Sequence, residues 1–183
     1  MTKIDRSEIL HYEEYEPRRD AIRAQVMEEK RPRRIHLGPL TFLFENVVTM
    51  RYQVQEMVRA ERMRKPEDIQ HEVDTYNEVL GGAGELGCSL LIEISDPQER
   101  DANLRAWLGL PDHLYVKIED GRKMRPVYDH RQVGQDRLSS VQYLKFPLGG
   151  VTPVAVGCDL PAIAREVALT PEQRRALEAD LRC

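Results

Sequence analysis

The sequence predicts an α+β fold: a mostly antiparallel sheet, helices concentrated in the N-terminal half, and one C-terminal helix. Three observations lead there. Apolar residues recur at helical spacing in segments before residue 80. Strand-like runs, most of them alternating, dominate the chain from Glu85 to Cys158. The turn signals Asp120-Gly121 and Gly149-Gly150 each separate two such runs, which predicts hairpins.

Taken in order, residues 5–31 read as helix in two pieces. Asp5 or Ser7 caps the first, because a short side-chain oxygen accepts a free N-terminal amide. Glu16-Pro17 opens the second, since proline is tolerated in a first turn. Its thin apolar stripe is Ile22, Val26 and Met27. Pro32 ends it. A short strand follows at 33–37, then a Gly38-Pro39 turn and the continuous apolar run 40–44, which suits a strand covered on both faces. Residues 48–64 return to helical spacing. Pro66 starts a further helix to about residue 80, with Ile69, Val73, Tyr76 and Leu80 on one face. Gly81-Gly82-Ala83-Gly84 then breaks the chain as a flexible turn. The clearest strand is 85–94, where Leu86, Cys88, Leu90, Ile92 and Ile94 alternate on one face. Asp96-Pro97 opens a helix that ends near Leu108-Gly109. Strands are expected at 113–119, 122–128, 139–146 and 151–158, and a final helix at 171–182 after Thr170.

The 183 residues carry no internal repeat and no linker, and read as one domain over 1–183. With 41 % hydrophobic and 32 % charged residues the composition is that of a globular chain. No apolar run approaches about 18 residues, which excludes a membrane span. The start MTKIDRSEIL has no apolar core, so no secretory signal is expected. A net charge of −4 argues against nucleic acid as the main ligand. The run Lys30-Arg31-Pro32-Arg33-Arg34 reads as a solvated helix end. Cys88, Cys158 and Cys183 include no C-x-x-C pair, which excludes a zinc knuckle and predicts reduced cytoplasmic thiols. Cys88 and Cys158 fall in apolar runs and are expected to be buried; Cys183 is expected to be exposed.

The helix 48–64 carries the densest set of candidates. At 100° per residue, Met50, Val54 and Met57 point one way, and Glu61 falls on the same face. An acid on an apolar stripe must be paired, protonated or bound to a cation. Solvation at the helix end, or pairing with Arg64 or Lys65, is the plainer alternative. Gln55, Glu56, Arg59 and Arg62 occupy the rest of the helix. Glu45-Asn46 follows a core strand, where a rigid element presents polar groups at an open end and where turns also begin. Glu85 and Glu93 share a strand face but lie roughly 26 Å apart at about 3.3 Å per residue, too far for one site. Glu8 and His11 have the E-x-x-H spacing of di-iron bundles, but the second pair that such a site needs is absent. Nucleophile-elbow, Walker and dinucleotide-binding motifs are absent.

The runs Tyr12-Glu13-Glu14-Tyr15, Phe44-Glu45-Asn46, Gln55-Glu56-Met57, Arg59-Ala60-Glu61-Arg62 and Tyr76-Asn77 are similar to the signature of an uncharacterised bacterial domain-of-unknown-function family. So are Gly84-Glu85-Leu86, Ile92-Glu93-Ile94 and the run 140–146. The resemblance spans nearly the whole chain. It implies genes that neighbour those of rubrerythrin and an iron–sulfur oxidoreductase subunit, and hence a cytoplasmic setting of peroxide or iron stress. It implies no activity. Gly87-Cys88 departs from the small hydroxyl or alanine residues expected after Gly-Glu-Leu.

The leading expectation is therefore an accessory protein whose Glu45, Asn46, Gln55, Glu56, Arg59, Glu61, Arg62 and Glu85 bind a small ligand, a metal or a partner. Glu45, Glu61 and Glu85 are the candidate metal ligands. Carboxylates without Cys or paired His favour iron or manganese. Rubrerythrin, the iron–sulfur subunit and a second copy of the chain are the candidate partners. The alternative is a small acid–base enzyme, with Glu61 as base and Arg59 or Arg62 holding an anionic metabolite. A purely structural subunit ranks third.

Overall fold

The computed structural model describes residues 3–130 and 133–182. The expectation for Cys183 lies outside them. In chain order the first half forms α1 (Tyr12–Tyr15), α2 (Arg19–Lys30), β1 (Arg34–Leu37), β2 (Leu40–Glu45), α3 (Val47–Ala60) and α4 (Pro66–Asn77). The second half forms β3 (Glu85–Ile92), α5 (Pro97–Ala106), α6 (Leu110–His113), β4 (Leu114–Lys117), β5 (Lys123–Met124), β6 (Val141–Pro147), β7 (Ala155–Cys158), β8 (Arg165–Ala168) and α7 (Pro171–Arg182). The fold is α+β, with antiparallel pairing throughout and a C-terminal helix.

The strands divide into two sheets, ordered β1-β2-β3-β6 and β5-β4-β7-β8. The alternating residues of β3 explain the first core. Leu86, Cys88, Leu90 and Ile92 point to one side and meet Phe42 and Phe44 of β2 and Phe146 of β6. The three phenylalanine rings lie 6.1–6.4 Å apart. Val116 of β4 and Val156 and Cys158 of β7 close this core from the second sheet. Trp107, next to α5, and Leu177 and Leu181 of α7 join the same core. Every residue of β2 is buried, as its unbroken apolar run requires, because a second layer covers its other face. That layer is built by Met50, Val54 and Val58 of α3 with Ile69 and Val73 of α4. Among the described residues no helix is long and apolar enough to cross a membrane.

The structure departs from expectation at several joints. Gly149-Gly150 does not close a hairpin, because β6 and β7 belong to different sheets. Both glycines adopt left-handed φ, 58° and 81°, and the Leu148 and Gly150 amides donate to the Gly84 carbonyl at 3.1 and 3.2 Å. The turn is pinned to the glycine loop and not folded back on β6. The strand expected at 122–128 shrinks to β5, and Val127 instead bridges to Lys145 of β6. β8 carried no apolar alternation to announce it; three of its four residues are exposed. α3 stops at Ala60, short of the 64 expected.

The glycine loop is not flexible slack. A Cβ on Gly87 would lie 2.2 Å from the Val79 carbonyl oxygen, so the loop backbone rests directly on β3. This accounts for glycine at the position where a larger small residue was expected. Gly87→Ala is predicted to lower stability by about 1–3 kcal/mol, in the range of overpacked interiors. Thermal unfolding checks this, and an unchanged midpoint would contradict the contact.

Candidate functional site

β2 runs straight into α3, and the junction is built from the sequence Glu45-Asn46-Val47-Val48-Thr49. Asn46 is the N-cap. Its side chain accepts the Thr49 amide at 3.0 Å, and the Thr49 hydroxyl accepts the Asn46 amide at 3.0 Å. This reciprocal cap satisfies amides that a helix start otherwise leaves unpaired. It also turns the Thr49 hydroxyl toward Glu45, to which it donates at 2.6 Å on Oε2. Ser89 of β3 donates to Oε1 at 2.8 Å. Glu45 is only 5 % exposed. Burial pushes its carboxyl above the ordinary value, and the nearby Lys30 charge partly opposes that rise. Burial lowers Lys30 in turn; its ammonium sits 5.5 Å from the centre of the Tyr52 ring.

Glu45 opens on a cavity of about 260 Å³. Val47, Val48, Leu80 and Leu86 supply apolar walls, and Asn46, Glu85 and Asp180 supply polar ones. Glu85 is held by the Gly82 amide, which donates to its Oε2 at 2.7 Å. Asp180 receives Arg33 through Nε at 2.7 Å and Nη2 at 2.9 Å. The Asn46 amide bridges Glu29 at 2.7 Å and Asp180 at 3.3 Å. Arg33 is thus buried in an ion pair, which corrects its reading as part of a solvated helix end. The site offers one buried titratable carboxyl, fixed acceptors, and an apolar surface for the remainder of a ligand.

Of the residues singled out from the sequence, Glu45, Asn46 and Glu85 line this one cavity. The others do not join them. Gln55 clamps the backbone of Leu10, accepting from its amide and donating to its carbonyl, both at 2.8 Å. Glu56 takes Arg19 in three bonds at 2.9, 3.2 and 2.7 Å and the Tyr15 hydroxyl at 2.6 Å. Arg59 donates to Glu16 at 2.6 and 3.0 Å. These three therefore dock the N-terminal segment. Glu61 is exposed: the buried stripe of α3 runs Met50, Val54, Val58 and leaves Glu61 at the helix C-cap. Arg62 holds the left-handed position after the helix, φ 50°, with the Met63 amide donating to Val58 and the Arg62 amide to Arg59. That is a Schellman closure in which glycine is the usual occupant.

The metal reading of Glu45, Glu61 and Glu85 is corrected on the same grounds. Glu45 and Glu61 flank a helix roughly 21 Å long, at about 1.5 Å per residue. Both oxygens of Glu45 already accept hydroxyls. Among the described residues no group of three His, Cys, Asp or Glu side chains could hold a metal ion. Glu8, of the E-x-x-H pair, is drawn to Arg51 and the Asp5 amide. Cys88 and Cys158 are buried and free, as expected. Sequence reasoning missed Asp180, Leu80 and Val48. Only the N-x-x-T spacing of Asn46 and Thr49 signalled the cap.

A family model described as protein of unknown function (DUF3501) matches residues 3–181. The chain is also similar to a crystal structure of a protein of unknown function from Burkholderia pseudomallei, at 27 % identity and a TM-score of 0.90. That match covers 98 % of this chain and 100 % of the other. No curated protein matches.

The clamps on the N-terminal segment set a pH dependence. The Arg19 bond holds the Glu56 carboxyl below its ordinary value; the Arg59 bond does the same for Glu16, and the Asp5 amide with Arg51 for Glu8. Carboxyls with lowered folded values contribute stability above the ordinary value of 4.5, lost as pH falls through the folded values. Hydrogen exchange is expected to show residues 5–19 loosening below that pH before the sheets open; simultaneous opening would contradict the assignment. Glu45 has the opposite sign, so its contribution is full below 4.5 and fades as pH rises through its raised value. Arg62→Gly should stabilise the chain by about 0.5–1 kcal/mol, by relieving left-handed strain in excess of the added chain entropy. A lower denaturation midpoint in that variant would count against it.

Proposed function

Since the chain belongs to the DUF3501 family, whose description names no function, we propose from its geometry that it is an accessory ligand-binding protein whose site is the Glu45 cavity. The carrying observation is a buried carboxyl, raised above its ordinary value and held by two hydroxyls, in the wall of a cavity lined by both apolar and polar side chains. Such a group is dear to bury, and here it faces a space in which a small ligand fits. The ligand meets Glu45 and Asn46 with a polar head and Val47, Val48, Leu80 and Leu86 with an apolar body. The setting we propose is a cytoplasmic rubrerythrin-linked redox or iron-stress system. Its support is the gene neighbourhood implied by the resemblance of the motifs around Glu45, Glu56 and Glu85.

A second reading, a small acid–base enzyme, is favoured by the same raised carboxyl, with Glu45 and not Glu61 as the base. A turnover whose pH profile shifts with Glu45→Asp would favour it over simple binding.

Native mass spectrometry of the purified chain is expected to show a retained small molecule. Val48→Trp should remove it: Val48 is exposed at 38 % and lines the cavity, so the larger ring fills the space without entering the core. No adduct, and no thermal shift with a panel of small metabolites, would end the ligand-binding reading. Failure to capture rubrerythrin or the iron–sulfur subunit would end the proposed setting.

A further inference from the structure

Ile35 and Leu37 of β1 and Phe42 of β2 enter the phenylalanine core, so His36 and Thr41 point to the opposite face of the sheet. The two residues pair directly across the strands. His36 Nδ1 lies 2.8 Å from the Thr41 hydroxyl, and that hydroxyl donates to Glu93 Oε2. Thr41 is buried and His36 is exposed. None of the three lines the Glu45 cavity. We propose that His36 is a nucleophilic site whose Nε2 accepts an acyl group from an activated acyl donor.

The order of the protons follows from what each group can donate. A carboxylate only accepts, so the Thr41 hydroxyl gives its one proton to Glu93. Thr41 then has only lone pairs to offer His36, which makes Nδ1 the donor. A neutral ring with its proton on Nδ1 carries its lone pair on Nε2. Among the described residues nothing bonds to that nitrogen, and the side chain that bears it is exposed.

The frame holds this order in place. The Glu93 amide donates to the Pro39 carbonyl at 2.8 Å, which fixes Glu93 beside the β1–β2 turn. Arg34 Nη1 lies 3.7 Å from Glu93 Oε1. Arg34 shares the strand face of His36 but is engaged with Glu93, which favours an acyl over a phosphoryl group as the one accepted. A carboxylate that orients a histidine through Nδ1 also stabilises the imidazolium when it forms. Here a threonine hydroxyl stands between the two. His113 is oriented through Nδ1 by Asp159, but that carboxylate is already shared with Arg125 and Lys123 at 2.6 and 3.3 Å.

In the step itself, the Nε2 lone pair forms a C–N bond at the carbonyl carbon, and the leaving group departs with the electrons of its bond. The ring then carries a positive charge. It sheds the Nδ1 proton to the Thr41 oxygen as the Thr41 proton passes to Glu93. Glu93, itself exposed, returns that proton to the leaving group through water. Thr41 and Glu93 are positioning residues.

Two measurements on the full chain test the proposal. Nitrogen-15 spectra of the imidazoles in mildly alkaline buffer are expected to show the His36 proton on Nδ1. Glu93→Ala frees the Thr41 hydroxyl to donate to Nδ1, so the ring proton should move to Nε2. Carbethoxylation by diethyl pyrocarbonate, read at each histidine by peptide mass spectrometry, should be several-fold faster at His36 than at the exposed His71 of α4. Glu93→Ala should slow it several-fold, because the remaining lone pair then faces Thr41. Thr41→Ser keeps the hydroxyl and should preserve both the spectrum and the rate. A wild-type His36 proton on Nε2 overturns the proposal. So does a His36 rate no greater than that of His71, or an undiminished rate in Glu93→Ala, whose exposed side chain can be removed without opening the core.

Discussion

The buried ion pair between Arg33 and Asp180 joins positions 147 residues apart. Arg33 lies between α2 and β1, and Asp180 lies on α7, so the pair brings the C-terminal helix to the place where the first sheet begins. Asn46 donates to the same Asp180 while it caps α3. Three elements thus converge on one set of charges. Arg33, itself buried, is also paired with Glu29 at 2.9 Å, so two carboxylates share one guanidinium at this joint. The Glu45 cavity sits beside this junction, with Asn46 and Asp180 in its wall. Its shape therefore depends on α7 as much as on the β2–α3 turn.

α3 has two faces with different work. Met50, Val54 and Val58 form the apolar seam with α4. Arg51, Gln55, Glu56 and Arg59 hold the N-terminal segment, each through a specific partner. Asn77 of α4 repeats the device used by Gln55: its amide accepts from the Ile4 amide at 2.8 Å and donates to the Ile4 carbonyl at 3.0 Å. An exposed ion pair contributes little alone. An amide that satisfies both backbone groups of one residue does more, because those groups lie partly out of water and lack another partner in secondary structure. Polar residues crowded on one helix looked like a ligand site because the same residue types serve both purposes.

Local pattern carried most of the fold. The alternation of Leu86, Cys88, Leu90 and Ile92, the unbroken run of β2, and the proline starts of α4, α5 and α7 each reproduce in the structure. Two joints were not legible. Gly149-Gly150 has the composition of a hairpin turn, but the carbonyl that receives the Leu148 and Gly150 amides belongs to Gly84, far away in the chain. β8 has three exposed residues in four, and the backbone bonds that pair it with β7 leave no mark in side-chain type.

For the site, sequence order was enough to mark Glu45 and Asn46, since a strand end followed by a cap is a local event. It was also enough to mark Glu85 as a polar residue beside a glycine loop. That these residues share a cavity depends on β2 and β3 pairing in the register that sets Glu45 opposite Gly87. That Glu61 stays outside it follows from its place at the far end of α3, roughly 21 Å along the helix from Glu45 at about 1.5 Å per residue. Residue spacing specifies which side chains share a face. Which face is buried, and against what, follows from long-range packing, because burial is a property of the assembled layers and not of any one segment.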